Sequence, residues 1–273
     1  MAEWFSGHVS ANGIKIHYWR TGGDKPPVVL SHGITDIGLC WTRVARDLEA
    51  DYDVIMPDAR GHGFSDAPDA GYSSEDHAAD LADLVRALGL EEPAPALLGH
   101  SMGAATVAAT AAHYPDLVRC AILEDPPWMA GHLGGSPEER AARVEAWRAD
   151  VLERKAQTRE ELIAFCHAQN PAWAEVECAP WADSKLQLNL RALQAVGEHL
   201  TRWQDVVRKI ACPILLITAD PGMGAIVTPE VAQEAAGLWR SGRVVHISGA
   251  GHNIRREQYG KYLEAVTAFL MEV

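Results

Sequence analysis

Ser101 lies at the centre of a Gly-x-Ser-x-Gly pattern that begins at Gly99 and ends at Gly103. Apolar residues precede the pattern and the alanine-rich stretch Ala104–Ala112 follows it, which predicts a buried strand that turns sharply into a helix. Because glycine tolerates close backbone approach and strained conformations, the two glycines leave room for such a turn. The serine hydroxyl would then project above the sheet as a nucleophile, with the Met102 N–H at the positive end of the helix.

Three more polar residues follow predicted strands, namely Asp125, Asp220 and His252. Ligands of an open parallel sheet bind outside the carboxyl ends of its strands, so we expect these side chains near Ser101. A serine hydroxyl must pass its proton to a base as it attacks, and His252 suits that task because its unperturbed pKa lies near neutral pH. A carboxylate would accept the other ring proton of the histidine. The residue types therefore predict nucleophilic catalysis by a Ser–His–carboxylate triad.

Apolar runs that predict strands alternate with segments of helical spacing along most of the chain. Asn12-Gly13 between two alternating runs predicts a β-hairpin over residues 9–20. Further strands are predicted at residues 28–30, 53–56, 94–98, 118–123, 213–218 and 243–247. This alternation predicts an α/β fold in which helices cover both faces of a mostly parallel, eight-stranded sheet.

The alternation stops after Asp125. From Trp128 to about Val206 the chain contains no β-like run, only helical spacing rich in Glu, Arg and Ala, together with five tryptophans. We therefore predict a helical cap over residues 126–206, inserted into a core domain made of residues 1–125 and 207–273.

Three motifs resemble those of α/β-hydrolase fold enzymes with a helical cap. They are Ser31-His32-Gly33-Ile34 after the third strand, Gly99-His100-Ser101-Met102-Gly103 at the elbow, and Gly249-Ala250-Gly251-His252 near the end. The order Ser, Asp, His along the chain is also the order of that family, and the resemblance covers nearly the whole chain. It implies that the backbone N–H groups of Ile34 and Met102 form the oxyanion hole.

The triad acid has two main candidates under this resemblance. Most relatives carry it after the strand that corresponds to residues 213–218, in a Gly-x-x-Asp turn, but here that turn ends on Gly222 and holds Asp220 two residues earlier. A minority, the haloalkane dehalogenase-like and zearalenone lactonase-like enzymes, take the acid from the preceding strand, which corresponds to Asp125. We therefore favour Asp125, keep Asp220 as the alternative acid, and rank Glu124 third.

The resemblance to dehalogenases is limited to topology, because their nucleophile is an aspartate and here it is Ser101. The predicted function is a serine hydrolase that cleaves a carboxylic ester or a lactone of a small or medium, largely apolar molecule through an acyl-enzyme. The same triad would serve a C–C bond or amide hydrolase. A non-catalytic ligand receptor that retains the triad is a further alternative.

Several residues near the predicted site are candidates for substrate contact. The cap implied by the resemblance would lie over the nucleophile, so Trp128 is predicted to bind substrate, and Trp41, shortly after the oxyanion loop, is a second candidate. Asp36 is interpreted either as a polar specificity group or as a cap of its loop. Arg255 and Arg256 are expected to be solvated or paired at a helix start rather than to bind substrate.

Composition excludes several classes of function. The formal net charge of −13 argues against nucleic-acid binding. No apolar run approaches the ~18 residues that span a bilayer and no signal peptide is visible, so we expect a cytoplasmic protein without membrane association. The expected oligomeric state is a monomer or a homodimer. Neither metal-ligand spacing nor a phosphate loop occurs, so no cofactor is expected.

Scattered cysteines predict small buried residues in a reducing compartment rather than disulfides. These are Cys40, Cys120, Cys166, Cys178 and Cys212.

Overall fold

A computed structural model describes residues 4–129, 136–197 and 202–273. Its centre is an eight-stranded sheet with the order β1-β2-β4-β3-β5-β6-β7-β8. The strands are β1 (Phe5–Ala11), β2 (Ile14–Arg20), β3 (Pro27–Ser31), β4 (Asp53–Pro57), β5 (Ala96–His100), β6 (Cys120–Glu124), β7 (Ile214–Thr218) and β8 (Gly242–His246). β1 pairs with β2 and β2 with β4 in antiparallel register, and the other neighbours are parallel. The predicted mostly parallel α/β sheet is therefore confirmed.

The strands form where the sequence pattern predicts them. Asn12 and Gly13 have φ values of 47° and 79°, the left-handed conformations that a two-residue hairpin turn requires. Every residue of β3, β4, β5, β6 and β7 is buried, as expected for parallel strands covered on both faces. At the edge of the sheet, β8 exposes alternate residues to solvent.

Helices cover both faces of the sheet, and the sheet divides the apolar core in two. They are α1 (Thr42–Leu48), α2 (Ser74–Ala87), α3 (Met102–His113), α4 (Pro137–Lys155), α5 (Arg159–Gln169), α6 (Glu175–Gln187), α7 (Gln194–Gly197), α8 (Trp203–Val207), α9 (Pro229–Ala236), α10 (Ile254–Glu257) and α11 (Tyr259–Glu272). Successive strand residues point to opposite faces, so Leu97 packs with α2 and α3 whereas Leu98 packs with α1 and α11.

Between β6 and β7 the described residues form helices only, α4 to α8. Ser136 and Thr158 begin α4 and α5 with capping boxes, in which each side chain accepts from a backbone N–H one turn later. A small apolar cluster joins α4 and the segment between α6 and α7 to Tyr72 of the main part of the chain. Residues 130–135 and 198–201 of the predicted cap lie outside the described residues, and the predicted domain boundaries stay a prediction.

Two cysteines contradict the expectation that none forms a disulfide. Cys166 of α5 and Cys178 of α6 are joined in a disulfide, with their Cα atoms 5.7 Å apart. The expectation was wrong because α5 and α6 pack against each other, and each helix turns a buried cysteine toward its neighbour. Among the helices of the described residues, none has both the length and the hydropathy of a transmembrane segment.

Candidate active site

The turn between β5 and α3 holds Ser101 in a strained backbone conformation. Its φ is 54° and its ψ is −118°, a combination that L residues rarely adopt. A Cβ built on Gly99 would lie 2.2 Å from the Gly103 carbonyl oxygen, and one built on Gly103 would lie 2.1 Å from the Ser31 carbonyl oxygen. Only glycine fits at these two positions, which explains the Gly-x-Ser-x-Gly spacing.

Asp125 follows β6 directly, and its carboxylate faces His252. The His252 Nδ1 atom lies 2.6 Å from Asp125 Oδ2. The backbone N–H groups of Ile226 and Val227, in the loop after β7, donate to the same carboxylate at 2.9 Å each. Asp125 is fully buried and has a φ of 42°. Three donors therefore surround this carboxylate and orient it toward the histidine.

Asp220 lies after β7 and makes different contacts. Its Oδ2 accepts from the Gly249 N–H at 2.7 Å, and its Oδ1 lies 3.0 Å from His246 Nε2. These hydrogen bonds, the one from Gly249 first, hold the pKa of Asp220 below its usual value. Asp220 therefore braces the loop that precedes His252, whereas Asp125 contacts the ring of His252.

Glu124, ranked third as the acid, is also engaged elsewhere. It is fully buried and accepts from the Arg255 backbone N–H at 2.9 Å and from its Nη1 at 3.4 Å. Burial raises the pKa of Glu124, and Arg255 opposes that rise. Glu124 therefore anchors the segment that follows the histidine loop.

His100, the residue before Ser101, supports His252 from the other side. Its Nε2 lies 2.8 Å from the His252 carbonyl oxygen, and the two ring centroids are 4.6 Å apart. Burial, followed by the charge of Arg255, lowers the pKa of His100 well below its usual value, so the ring is neutral. It donates the Nε2 proton to the carbonyl. Sequence reasoning missed this role, although the position of His100 inside the elbow motif could have suggested it.

The oxyanion loop lies directly against the elbow. A Cβ built on Gly33 would be 3.5 Å from Ser101 Cβ. Within the described ranges, the backbone N–H groups of Ile34 and Met102 donate to no protein acceptor. Both donors therefore remain free for a ligand oxygen near the serine.

Two buried histidines hold this loop in place. His32 Nδ1 lies 2.8 Å from the Gly33 carbonyl oxygen, and its Nε2 accepts from the Ala59 N–H at 3.0 Å. Burial, together with the neighbouring His62, lowers the pKa of His32 to about 4, in agreement with this neutral tautomer. His62 Nε2 lies 2.6 Å from the Ile34 carbonyl oxygen. The hydrogen bond from His62 to the Ile34 carbonyl oxygen thus holds the residue that carries the predicted oxyanion donor.

Asp36 and two arginines form an ion-pair cluster beside the site. Asp36 Oδ2 accepts from Arg255 Nη2 at 3.0 Å and from Arg256 Nη2 at 3.1 Å. The arginines are only 1% and 2% exposed, so the expected solvation was wrong and the expected pairing was correct. The arginines can be buried because carboxylates neutralise them. Those carboxylates come from distant parts of the chain, so the local sequence does not reveal the pairing. Asp36 therefore joins the oxyanion loop to the segment after His252.

The two tryptophans predicted to bind substrate are both buried. Trp41 has no exposed surface and packs under the Arg255 guanidinium, 4.2 Å from its ring centroid. A contact between Trp41 and substrate stays a prediction. Trp128 is 3% exposed and stacks on Trp203 with ring centroids 5.2 Å apart. A contact between Trp128 and substrate stays a prediction.

Known proteins share this architecture. A family model described as an alpha/beta hydrolase fold matches residues 26–255. N-formylmaleamate deformylase of Pseudomonas putida is 30% identical over 276 residues, which cover 97% of this chain and 96% of that protein. An esterase of Escherichia coli is 27% identical over 90% of this chain and 94% of its own length. The crystal structure of E-2-(acetamidomethylene)succinate hydrolase matches with a TM-score of 0.82 at 24% identity, over 98% of this chain and 99% of that chain.

Proposed function

The chain belongs to the α/β-hydrolase fold family, and from that membership we propose that it is a serine hydrolase that cleaves an acyl bond through an acyl-enzyme on Ser101. The observation that carries the proposal is the placement of His252. Its Nδ1 lies 2.6 Å from Asp125 Oδ2, and its carbonyl is bound by His100, the neighbour of the serine. The other ring nitrogen, Nε2, is then left to exchange a proton with the serine hydroxyl.

In the first half of the reaction, Ser101 Oγ attacks the substrate carbonyl carbon and passes its proton to His252 Nε2. The Asp125 carboxylate stabilises the imidazolium that forms. The carbonyl oxygen becomes an oxyanion and accepts from the Ile34 and Met102 N–H groups. As the tetrahedral intermediate collapses, the bond to the leaving nitrogen or oxygen breaks, and the leaving atom takes the proton from His252.

In the second half, a water molecule attacks the acyl-enzyme carbonyl and gives a proton to His252 Nε2. The same two N–H groups stabilise the second oxyanion. Collapse of this intermediate breaks the bond to Ser101 Oγ, which recovers its proton from His252. The carboxylic acid leaves, and the enzyme returns to its starting state without a cofactor.

We propose that the bond cleaved is the C–N bond of an N-acyl group on a small carboxylic acid. The support is the full-length similarity to N-formylmaleamate deformylase, whose name describes removal of a formyl group from nitrogen. An acyl-enzyme mechanism suits this bond because His252 can protonate a nitrogen leaving group as it departs.

Ester or lactone cleavage, the function predicted from the sequence, is the second candidate. The similarity to an esterase over 90% of this chain supports it. The triad chemistry is the same for both bonds, and only the leaving atom differs, so a direct comparison of substrates separates them.

The test compares the purified protein with its Ser101→Ala variant on three substrates: N-formylmaleamate, p-nitrophenyl acetate and a small aliphatic lactone. Formate release is followed with a coupled dehydrogenase, and a fluorophosphonate probe measures covalent labelling of the serine. Ser6→Ala, which changes an exposed serine of β1, is the matched control. We expect labelling and turnover of N-formylmaleamate by the wild type and the control, and neither by Ser101→Ala.

Each other result has a defined meaning. Turnover confined to the ester or the lactone would replace the first candidate by the second. Equal turnover by wild type and Ser101→Ala would overturn the acyl-enzyme mechanism. An unlabelled and inactive wild type would leave the ligand receptor as the better description.

A further inference from the structure

Lys185, in α6, reaches across to the oxyanion loop. Its Nζ donates to the Thr35 carbonyl oxygen at 2.7 Å and to the Thr35 hydroxyl oxygen at 3.0 Å. The same nitrogen lies 3.9 Å from Asp36 Oδ1, and the lysine side chain is only 9% exposed. Thr35 directly follows Ile34, whose N–H is the proposed oxyanion donor. A side chain from the helical segment between β6 and β7 thus binds the residue next to that donor.

Asp36 makes the loop part of a larger charged cluster. Its carboxylate pairs with Arg255 and Arg256 as well as with Lys185. Burial acts to raise the pKa of Asp36, but Arg256, Lys185 and Arg255 together hold it well below its usual value. The group is therefore an anion throughout the neutral pH range. Removal of any one cation changes the balance around a buried charge, which is costly in a low-dielectric interior.

The N-terminal turn of α6 is bound to the same cluster through a second residue. Glu177 Oε2 accepts from Arg256 Nε at 3.3 Å, and both side chains are almost fully buried. The Arg256 guanidinium also lies 4.5 Å from the centroid of the Trp173 ring. α6 is therefore held at Glu177 and at Lys185, eight residues apart, against groups that border the site.

The loop has a separate support that does not involve α6. His62 Nε2 lies 2.6 Å from the Ile34 carbonyl oxygen, and His62 belongs to the loop after β4. The hydrogen bonds and the ion pair that Lys185 makes with the loop are to Thr35 and Asp36. A change at Lys185 therefore alters one side of the loop and leaves the contact from His62 in place.

We propose that Lys185 is a positioning residue for the oxyanion hole, and this inference rests on the serine-hydrolase function proposed above. By binding Thr35 and pairing with Asp36, Lys185 holds the loop so that the Ile34 N–H faces the oxygen that becomes negative during attack by Ser101. The position of α6 and the geometry of the oxyanion hole are then coupled through this side chain. A donor that is misplaced stabilises the transition state less but leaves substrate binding nearly unchanged, so kcat falls while KM does not rise.

The test compares Lys185→Met and Lys185→Arg with the matched control Lys155→Met. Lys155, on α4, donates to the carbonyl oxygens of Leu186 and Leu188 at the end of α6. The control therefore removes a lysine that supports the same helix without changing the loop. We measure kcat, KM and the rate at which a fluorophosphonate labels Ser101.

We expect Lys185→Met to lower kcat and the labelling rate by roughly 10- to 100-fold, since complete loss of one oxyanion donor costs about 100- to 1000-fold. KM should stay within about twofold, because the change acts on the transition state. Lys185→Arg should recover part of the loss, because arginine retains a positive charge and N–H donors, although its planar guanidinium is larger than the ammonium group. Lys155→Met should stay within about threefold of wild type, the range expected for a change that leaves the reacting groups in place.

Equal losses in Lys185→Met and Lys155→Met would show that α6 acts by packing alone and would overturn the inference. If Lys185→Met fails to fold, Thr35→Val provides the measurement, since it removes only the hydroxyl acceptor. We expect about a threefold lower kcat from Thr35→Val, the value of one modest hydrogen bond, and an unchanged kcat would overturn the inference. A wild type that the probe does not label would instead contradict the proposed function itself.

Discussion

His252 Nδ1 and Asp125 Oδ2 lie 2.6 Å apart although 127 positions separate the two residues along the chain. The contact forms because β6 delivers Asp125 at its carboxyl end and the loop after β8 brings His252 to the same edge of the sheet. The loop after β7 adds the Ile226 and Val227 N–H groups to the carboxylate. That loop supplies backbone donors to an acid that another strand carries.

This geometry predicts different results for two equivalent substitutions. Asp125→Asn should lower kcat by about 10,000-fold, because the amide cannot hold the histidine in the required tautomer or stabilise its charged form. Asp220→Asn should lower kcat by less than about fivefold, because Asp220 contacts only the loop that precedes His252, through Gly249 and the exposed His246. A loss of this size is typical of one hydrogen bond near the surface. Steady-state kinetics on the best substrate measure both. A larger loss in Asp220→Asn would reverse the assignment of the acid.

The elbow glycines predict a large effect on stability. Gly103→Ala would place a methyl group about 2 Å from the Ser31 carbonyl oxygen, so the backbone must shift. Overpacking of this kind costs about 3 kcal/mol, which corresponds to a melting temperature about 5 °C lower in a chain of this size. Gly222→Ala is the matched control, because nothing lies within 4 Å of a Cβ at that position. Its melting temperature, measured by calorimetry, should stay within about 2 °C of wild type, as for other surface substitutions.

Lys185 predicts a pH dependence of stability. Burial lowers the pKa of Lys185 from 10.5 to about 8, with Asp36 opposing the shift. The charged groups that act on it are Asp36, Arg256 and Asp150, together with the thiol of Cys40. Between these two pKa values the folded state binds fewer protons than the unfolded state, so the free energy of unfolding increases with pH. This contribution is full above 10.5 and is lost as the pH falls through 8.

Urea unfolding at pH 7.5 and 9.5 measures this effect. Between these values the free energy of unfolding should increase by about 2 kcal/mol more in wild type than in Lys185→Met. Lys15→Met, which changes an exposed lysine of β2, is the control and should follow wild type. A Lys185→Met variant with the same pH dependence as wild type would contradict the assigned burial of the charge.

The disulfide predicts a thiol count and a loss of stability. Denatured but unreduced protein should react with three equivalents of a thiol reagent, at Cys40, Cys120 and Cys212. Cys166→Ser should lower the free energy of unfolding by about 3 kcal/mol, because it opens a short covalent loop in the unfolded chain. Cys212→Ser is the control and should cost less than about 1 kcal/mol. Five reactive thiols before reduction would show that the disulfide does not form in the purified protein.

The fold and the elbow were predictable from the sequence because the signals behind them are local. Apolar runs of strand length specify buried strands, and Gly99 and Gly103 mark a turn that no larger residue can make. Asn12-Gly13 specifies its hairpin for the same reason, since both residues adopt left-handed conformations. Arg255 and Arg256 were harder to interpret, because two adjacent arginines near a helix start give the same sequence pattern whether they are solvated or buried.

The sequence by itself determined the positions of the strands along the chain, the nucleophile turn and a short list of acids and bases, because periodicity and glycine requirements act within a few residues. Only the tertiary structure decided which partner each of these groups has. Asp125 contacts His252, Asp220 contacts Gly249, and Lys185 binds Thr35 across 150 positions. Hydrogen bonds and buried ion pairs depend on distances of a few ångströms between remote segments. Those distances exist only after the sheet and the helices have packed together.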